Sequence, residues 1–353
     1  MPTHFWRYIF WNNADINDYK RFPAYSINRG PDTYNFIEAG DQLSINLPED
    51  YQRKKTYSNF PSFLEDKKTT AFIIIRNDSI LYENYFSGFS RNSIVSSFSI
   101  SKSFISALTG IAISEGKIRS ADQTVGEYLT GFKHPGFEKI RIEDLLNMRS
   151  GINYKEEYYN PFGDMAKFYY GVNLEKYVYD ASIKEPPGLH YDYVSINAQI
   201  MAMILEKGTG MKVSEYLQEK IWKKLGMESD ALWNMDCKKN GMVKAFCCLN
   251  ARPLDFARFG RLYLHRGNWN GNQIVPEEWI EHTMRADENF KDAEGYPYSL
   301  FWRVLEDGSF FAKGIMGQYI YMMPEKNLIF LRFGKSYGDV DWVKFFREIS
   351  NQL

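Results

Sequence analysis

The segments of this chain that favour β-strands lie near its two ends, and a long helical region separates them. Residues 69–76 and 79–86 predict a β-hairpin across Asn77-Asp78, because the first arm is a continuous apolar run and the second alternates apolar with polar residues. Four more strands are predicted at residues 298–305, 309–313, 318–323 and 327–333. One sheet built from both chain ends accounts for this order. The predicted fold class is therefore α/β of the α+β type, with an antiparallel sheet flanked by helices.

The region between these strand segments predicts a mostly helical insertion. Its helical stretches are interrupted at several glycines and at Pro186-Pro187-Gly188, which are typical helix-ending residues. We therefore expect a discontinuous sheet domain of residues 1–110 and 250–353 and a helical domain of residues 111–249. A chain of 353 residues is long enough to bury a large core across two such domains.

The charge balance of the chain argues against several classes of partner. Its 43 basic and 44 acidic residues are mixed along the sequence, so nucleic acid and anionic membranes are poor candidates. No apolar run approaches the ~18 residues of a membrane span, and residues 1–20 lack a signal-peptide profile. We expect a cytoplasmic protein, or a cell-envelope protein if a targeting segment has been removed. A small molecule is the expected partner, and the sequence leaves the oligomeric state open.

Cysteines and histidines give no pattern of a disulfide framework or of a metal site. The three cysteines are Cys237, Cys247 and Cys248, an odd number with two of them adjacent. The five histidines show no His-x-x-x-His or His-Glu-x-x-His spacing. We therefore expect no metal.

Ser99-Ile100-Ser101-Lys102 opens an apolar stretch that predicts a helix over residues 99–115. Residues three apart lie on the same face of a helix, so the hydroxyl of Ser99 and the amine of Lys102 become neighbours. A lysine whose ammonium pKa is lowered by burial can act as a base for a serine nucleophile. The stretch carries little other charge, so we expect a buried helix. Because Ser-x-x-Lys also arises by chance about once in a chain of this length, the rest of the sequence has to decide.

Two later segments offer the other groups that acyl transfer requires. Tyr193 follows a Pro-Gly turn at a loop-to-helix junction, where its hydroxyl can relay a proton if Lys102 lies nearby. Gly314 directly follows a predicted strand and permits close backbone approach, which leaves the Ile315 N–H free to form an oxyanion hole with the Ser99 N–H. The simpler interpretations are a core tyrosine at position 193 and a β-bulge at Gly314.

Three ordered motifs resemble those of serine β-lactamases and penicillin-binding proteins: Ser99-x-x-Lys102, Tyr193-x-Ser195 and Ala312-Lys313-Gly314. The flanking segments 142–151 and 187–210 are similar to the class C β-lactamase and esterase branch of this superfamily. Residues 193–195, 258–264 and 314–318 resemble the group of 6-aminohexanoate-dimer hydrolases and related esterases. The resemblance covers about residues 70–335.

This resemblance implies an acyl-enzyme hydrolase without a metal or organic cofactor. Ser99 would attack a carbonyl, and Lys102 and Tyr193 would relay its proton to the leaving group. The backbone N–H groups of Ser99 and Ile315 would hold the oxyanion. A tyrosine-rich loop of residues 154–184 would cover the cleft, although ordinary surface packing would also explain it. The weaker candidates for substrate contact are Ser195, Tyr158, Asp164, Gly314 and Gln318.

Two positions depart from the β-lactamase pattern. The second motif ends in Ser195 where Asn is usual, and the third begins with Ala312 where Lys or His is usual. Lys313 follows directly, but strand alternation places it on the opposite face. We therefore expect esterase or amidase action on a small neutral substrate. The alternatives are a β-lactamase or D-alanyl-D-alanine peptidase, with Arg149 or Lys167 as the missing cation, and a penicillin-binding sensor that acylates without turnover.

Overall fold

The computed structural model describes residues 3–40, 43–52, 57–285 and 287–353. The strands in these residues are β1 (Ala24–Ile27), β2 (Ile37–Glu38), β3 (Thr69–Arg76), β4 (Ser79–Tyr85), β5 (Val95–Ser96), β6 (Ile152–Asn153), β7 (Ser182–Ile183), β8 (Ala231–Asn234), β9 (Leu249–Ala251), β10 (Asn268–Trp269), β11 (Asn272–Gln273), β12 (Tyr298–Ser299), β13 (Trp302–Val304), β14 (Phe310–Gly314), β15 (Gln318–Met323) and β16 (Leu328–Gly334). The α-helices are α1 (Thr3–Trp11), α2 (Glu49–Gln52), α3 (Phe60–Asp66), α4 (Ser101–Ser114), α5 (Ile142–Leu146), α6 (Asp164–Tyr170), α7 (Leu174–Tyr179), α8 (Ile196–Thr209), α9 (Val213–Leu217), α10 (Pro253–Leu264), α11 (Glu277–Thr283) and α12 (Trp342–Ser350).

Eight strands form the main sheet, in the order β12-β13-β14-β15-β16-β3-β4-β2. Neighbouring strands run antiparallel, except that β2 and β4 pair in parallel. Strand β16, from the end of the chain, pairs with β3, from its beginning. The sheet therefore combines both chain ends, and the predicted fold class is confirmed.

Both faces of the main sheet are covered. Along β3, Ile73 and Ile75 contact the apolar cluster that contains Phe104 of α4, whereas Phe72 and Ile74 belong to a second cluster with Phe345 of α12. This two-sided burial explains why β3 is a continuous apolar run, since a strand with one solvated face would alternate. Helix α4 therefore lies against one face of the sheet, next to β14, and this face carries the site.

One predicted strand is wrong in detail. Residues 298–305 do not form a single strand, because Leu300 and Phe301 adopt positive φ angles of 45° and 66°. The chain turns there, so that β12 and β13 pair with each other antiparallel. Neither residue is a glycine, so no typical turn residue marks this position.

The region between the early and late strands contains more than helices. Strands β1, β8, β9 and β5 form a second sheet in that order, which the sequence did not predict. Strand β1 pairs with β8, so a segment near the start of the chain packs on the middle region. Strand β5 leads directly into the turn that carries Ser99. No helix among the described residues is long and apolar enough to cross a membrane.

Candidate active site

Ser99 lies in a 3₁₀ turn, Phe98–Ile100, immediately before α4 begins at Ser101. The helix was expected to begin at Ser99 itself. The predicted contact between Ser99 and Lys102 still forms, because residues i and i+3 also lie one above the other in a 3₁₀ turn. The Nζ atom of Lys102 donates a hydrogen bond of 3.0 Å to Ser99 Oγ. It donates a second one of 2.8 Å to the carbonyl oxygen of Phe246.

The backbone before Ser99 is strained. Phe98 is 2% exposed and has a φ angle of +44°, a conformation that is unfavourable for a bulky side chain. The preceding residue is fixed by a hydrogen bond from the Ser97 N–H to the carbonyl oxygen of Leu249 in β9. The bend at Phe98 leads from β5 into α4, and Ser99 lines a cavity at this point. Lys102 lies behind it and is 1% exposed.

Gly314 packs directly against this turn. A Cβ atom at position 314 would lie only 2.4 Å from the Ser97 carbonyl oxygen, so no other residue fits without movement of the backbone. Ile315, the next residue, lines the same cavity as Ser99. The backbone N–H groups of Ser99 and Ile315 make no hydrogen bond to any described residue. Two free N–H donors beside a serine hydroxyl are what a tetrahedral oxyanion requires.

Gln318 does not contact the cavity, contrary to the expectation that it binds substrate. It is 1% exposed, and its Nε2 atom donates to the carbonyl oxygens of Ile315, at 3.1 Å, and Gly334, at 2.8 Å. Its Oε1 atom accepts the Gly334 N–H. The side chain therefore ties the β14–β15 turn to β16, and its effect on the site is indirect.

Arg332 also donates hydrogen bonds to the turn between β14 and β15. The side chain is fully buried, and its Nη1 atom donates to the carbonyl oxygens of Met316 and Gly317, at 2.9 and 2.7 Å. Its Nη2 atom donates to the carbonyl oxygen of Ser336, which also lines the cavity. Burial lowers the pKa of Arg332 to about 9. Sequence analysis did not single out this residue, which fixes two edges of the cavity at once.

Tyr193 lies against Lys102, with 5.0 Å between the lysine Nζ and the centre of the tyrosine ring. A second cation, Arg303, has its guanidinium carbon 5.7 Å from the same ring centre. The ring also meets that of Tyr298 edge to face at 6.2 Å. The Tyr193 hydroxyl makes no hydrogen bond within the described part of the chain, so it is free to exchange a proton. The sequence therefore identified three side chains that the fold brings together: Ser99, Lys102 and Tyr193.

Ser195 lines the cavity but is already engaged by a residue that sequence analysis missed. Glu156 accepts the Ser195 N–H at 2.8 Å with Oε2 and the Ser195 hydroxyl at 2.6 Å with Oε1. Tyr158, another predicted residue of the cavity, donates its hydroxyl to Glu156 Oε1 at 3.0 Å. Burial raises the pKa of Glu156, although the charge of Lys102 and the hydrogen bonds from Ser195 act in the opposite direction.

Asp164 lies outside the Ser99 cavity. It accepts the Lys155 N–H at 3.1 Å and pairs with Lys167 Nζ at 2.9 Å, and it lines a neighbouring cavity. Arg149 places its guanidinium carbon 4.4 Å from the centre of the Phe290 ring. Neither alternative cation, Arg149 nor Lys167, lines the Ser99 cavity within the described residues. The cation that does is Lys335, which is exposed at the mouth.

Ala312 and Lys313 follow the predicted alternation. Ala312 is buried in the cluster that contains α4, on the side of Ser99. Lys313 points to the opposite face, where it pairs with Glu294 and lines a separate cavity. Burial lowers the pKa of Lys313. The position at which β-lactamases usually carry a cation or histidine is therefore apolar here.

The cavity has a volume of about 390 Å³, and seven of its nineteen lining residues are aromatic. Its aromatic lining residues are Phe98, Tyr158, Tyr159, Tyr169, Tyr170, Phe246 and Tyr337. Asn13 and Ala14, from the N-terminal segment, also reach it. No group of three or more His, Cys, Asp or Glu side chains within the described ranges could hold a metal ion.

Cys247 and Cys248 form a disulfide between adjacent residues, which the sequence did not predict. Cys247 lines the cavity and follows Phe246, whose carbonyl oxygen accepts a hydrogen bond from Lys102. The ring closed by this disulfide therefore adjoins the carbonyl that orients the lysine. Cys237 is the free cysteine.

The fold and this site define a hydrolase of the beta-lactamase family, to which the chain belongs: the family model described as Beta-lactamase matches residues 62–340. The chain is 27% identical to the 6-aminohexanoate-dimer hydrolase of Paenarthrobacter ureafaciens over 321 residues, which cover 85% of this chain and 78% of the relative. A solved structure from Bacillus anthracis, assigned provisionally as a 6-aminohexanoate-dimer hydrolase, superposes with a TM-score of 0.83 at 23% identity, covering 99% of this chain and 92% of the other. A class C beta-lactamase superposes with a TM-score of 0.63 at 16% identity, covering 83% and 93%. Both structural likenesses show the shared fold.

Proposed function

We propose that this protein is a serine hydrolase that cleaves a small neutral ester or amide through an acyl-enzyme. The observation that carries the proposal is the hydrogen bond of 3.0 Å from Lys102 Nζ to Ser99 Oγ, in a cavity where the N–H groups of Ser99 and Ile315 are free. A nucleophile, a base and an oxyanion site occur together here, as acyl transfer requires.

In the proposed reaction, Ser99 Oγ attacks the substrate carbonyl while its proton passes to the Lys102–Tyr193 pair. The carbonyl oxygen becomes an oxyanion between the two free N–H groups. The pair then returns the proton to the leaving alcohol or amine, and the acyl group stays on Ser99. A water molecule, deprotonated by the same pair, releases the acid and regenerates Ser99.

The residues that line the cavity favour a neutral substrate. Ala312 offers neither a charge nor a hydrogen-bond donor, and the aromatic lining supplies apolar contact. The name of the Paenarthrobacter relative, a hydrolase of the 6-aminohexanoate dimer, adds amides to the candidate substrates.

Covalent labelling tests the nucleophile. A fluorophosphonate probe should add its mass to the wild-type protein once, at Ser99, and Ser99→Ala should neither label nor turn over p-nitrophenyl esters. Equal activity of Ser99→Ala would overturn the mechanism. A stable acyl adduct without turnover would instead indicate a sensor that acylates and stops.

Comparing substrates tests the specificity. We expect kcat/KM for p-nitrophenyl acetate or butyrate to be measurable and nitrocefin hydrolysis to be weak or absent on the same preparation. The reason is the missing cation at position 312, since one charge-assisted hydrogen bond is worth ~1.5–3 kcal/mol, about tenfold to a hundredfold. Efficient nitrocefin hydrolysis with negligible esterase activity would reverse the assignment.

A further inference from the structure

Glu156 occupies an unusual place for a carboxylate. Its two oxygens accept three hydrogen bonds: from the Ser195 N–H at 2.8 Å, from the Ser195 hydroxyl at 2.6 Å and from the Tyr158 hydroxyl at 3.0 Å. Glu156 also lines the cavity of Ser99. Ser195 is 1% exposed, so this contact forms part of the wall and is shielded from solvent.

The contact joins two distant parts of the chain at the start of a helix. Ser195 is the N-cap residue of α8, and its own side chain does not cap the helix. Glu156, 39 residues earlier, supplies the acceptor instead. A carboxylate is favourable at this end of a 14-residue helix because the first N–H groups lack partners and the helix dipole is positive there. The same contact fixes the chain two residues after Tyr193.

The charge of Glu156 acts on the proposed proton relay as well. The groups that face it are Lys102 from α4 and, from its own segment, Tyr154 and Tyr158; Tyr193 in turn faces those two tyrosines. Lys102 has no carboxylate within ion-pair distance among the described residues, and it interacts electrostatically with Glu156 at longer range. A neutral amide has one acceptor oxygen, so it could keep the acceptor for the Ser195 N–H without this charge.

We propose that Glu156 is a positioning residue of the reaction: it anchors the Tyr193–Ser195 segment in place of the usual Asn of the motif and supplies the negative charge that faces Lys102. This inference rests on the proposed function of Ser99 and Lys102.

The test compares three variants with a neighbouring control. Glu156→Gln keeps the size and one acceptor and removes the charge, Glu156→Ala removes both, and Ser195→Ala removes the hydroxyl but keeps the N–H contact. Glu157→Gln changes the exposed neighbour, which accepts a hydrogen bond only from Asn160 in the described structure. The readouts are kcat/KM for a p-nitrophenyl ester from pH 5 to 10, the rate of fluorophosphonate labelling, and Tm.

Glu156→Gln should lower the plateau of kcat/KM about tenfold and move the acidic limb of the pH profile to lower pH by about one unit. The sign follows because removing a negative charge beside the Lys102–Tyr193 pair favours the form of the relay that has lost a proton, so the acidic limb moves to lower pH. Glu156→Ala should lower kcat/KM about a hundredfold, because the segment that carries Tyr193 also loses its anchor. Ser195→Ala should lower kcat/KM by a smaller factor and leave the acidic limb of the pH profile unchanged. Glu157→Gln should match the wild type in both.

A wild-type plateau and limb in Glu156→Gln would overturn the inference, even if Tm fell, because Glu156 would then only tie a loop to a helix. The inference would also be overturned if Glu157→Gln moved the limb equally. Failure of the proposed function looks different: the probe would then leave Ser99 of the wild-type protein unlabelled.

Discussion

Replacing Gly314 with alanine should damage catalysis more than stability. The added Cβ would lie 2.4 Å from the Ser97 carbonyl oxygen, about 1 Å short of ordinary van der Waals contact, and 3.1 Å from Phe98 Cβ. The end of β14 must therefore move away from the turn that carries Ser99, and the Ile315 N–H moves with it. Overpacking of this kind costs ~1–3 kcal/mol of unfolding free energy, which corresponds to a fall in Tm of roughly 1–4 °C for a chain of this length. Loss of one oxyanion donor costs ~10²–10³ in kcat.

Gly110→Ala provides a matched control. Its Cβ would lie 2.4 Å from Trp279 Cγ, so the overlap is as severe, but Gly110 lies within α4 and does not line the cavity. Alanine is also the better helix former by about 1 kcal/mol, which offsets part of the strain. We expect a lower Tm with unchanged kcat.

The assay measures Tm by calorimetry and kcat with a p-nitrophenyl ester for both variants. If the Tm of Gly314→Ala fell as expected but its kcat stayed at the wild-type value, the Ile315 N–H would not be an oxyanion donor. If Gly110→Ala lost kcat to the same extent, the effect at Gly314 would reflect general strain.

Three further perturbations test other parts of the site. Lys102→Arg should lower acylation by ~10³, because a guanidinium stays protonated; a fully active variant would show that Lys102 is only a fixed charge. Tyr193→Phe should lower kcat by ~10²–10⁴ with an unchanged far-ultraviolet circular dichroism spectrum, and a change in Tm alone would mark a core tyrosine. Reducing the Cys247–Cys248 disulfide with a phosphine adds two hydrogens, so that alkylation labels three cysteines instead of one. Fluorophosphonate labelling of Ser99 should then slow about tenfold, because the Phe246 carbonyl that orients Lys102 is no longer held; Cys237→Ser should respond as the wild type does, and an unchanged rate after complete reduction would contradict this role.

The parts of the site whose arrangement could be anticipated from the sequence depend on local geometry. Ser99 and Lys102 meet because a spacing of three residues places them together in either an α-helix or a 3₁₀ turn. Ala312 and Lys313 separate because successive residues of a strand point to opposite faces. The bounds of β3 and β15 match the predicted strands because turn residues flank both segments.

The parts that were missed depend on contacts between distant segments. Glu156 and Glu157 are equivalent in the sequence, and only the position of α8 decides which of them reaches Ser195. Gln318 lies next to the third motif, yet its side chain is buried, where it donates hydrogen bonds to Ile315 in the β14–β15 turn and to Gly334 in β16. Asp164 lies outside the Ser99 cavity and pairs with Lys167 at i+3 in α6, a spacing at which opposite charges meet on a helix. Its role in substrate binding stays a prediction.

The charges around the cavity bear on the choice of substrate. An anionic acyl group would face the Glu156 carboxylate in the wall and would find Lys335 as the free cation of the described lining. Lys335 is exposed, and an exposed ion pair contributes only ~0–1 kcal/mol, at most about fivefold in affinity. A buried cation at position 312 would contribute more, but alanine stands there. We therefore expect the electrostatic balance to disfavour a carboxylate on the acyl side, whereas a neutral ester or amide would meet the aromatic side chains of the cavity at no such cost, in line with the substrate class that we propose.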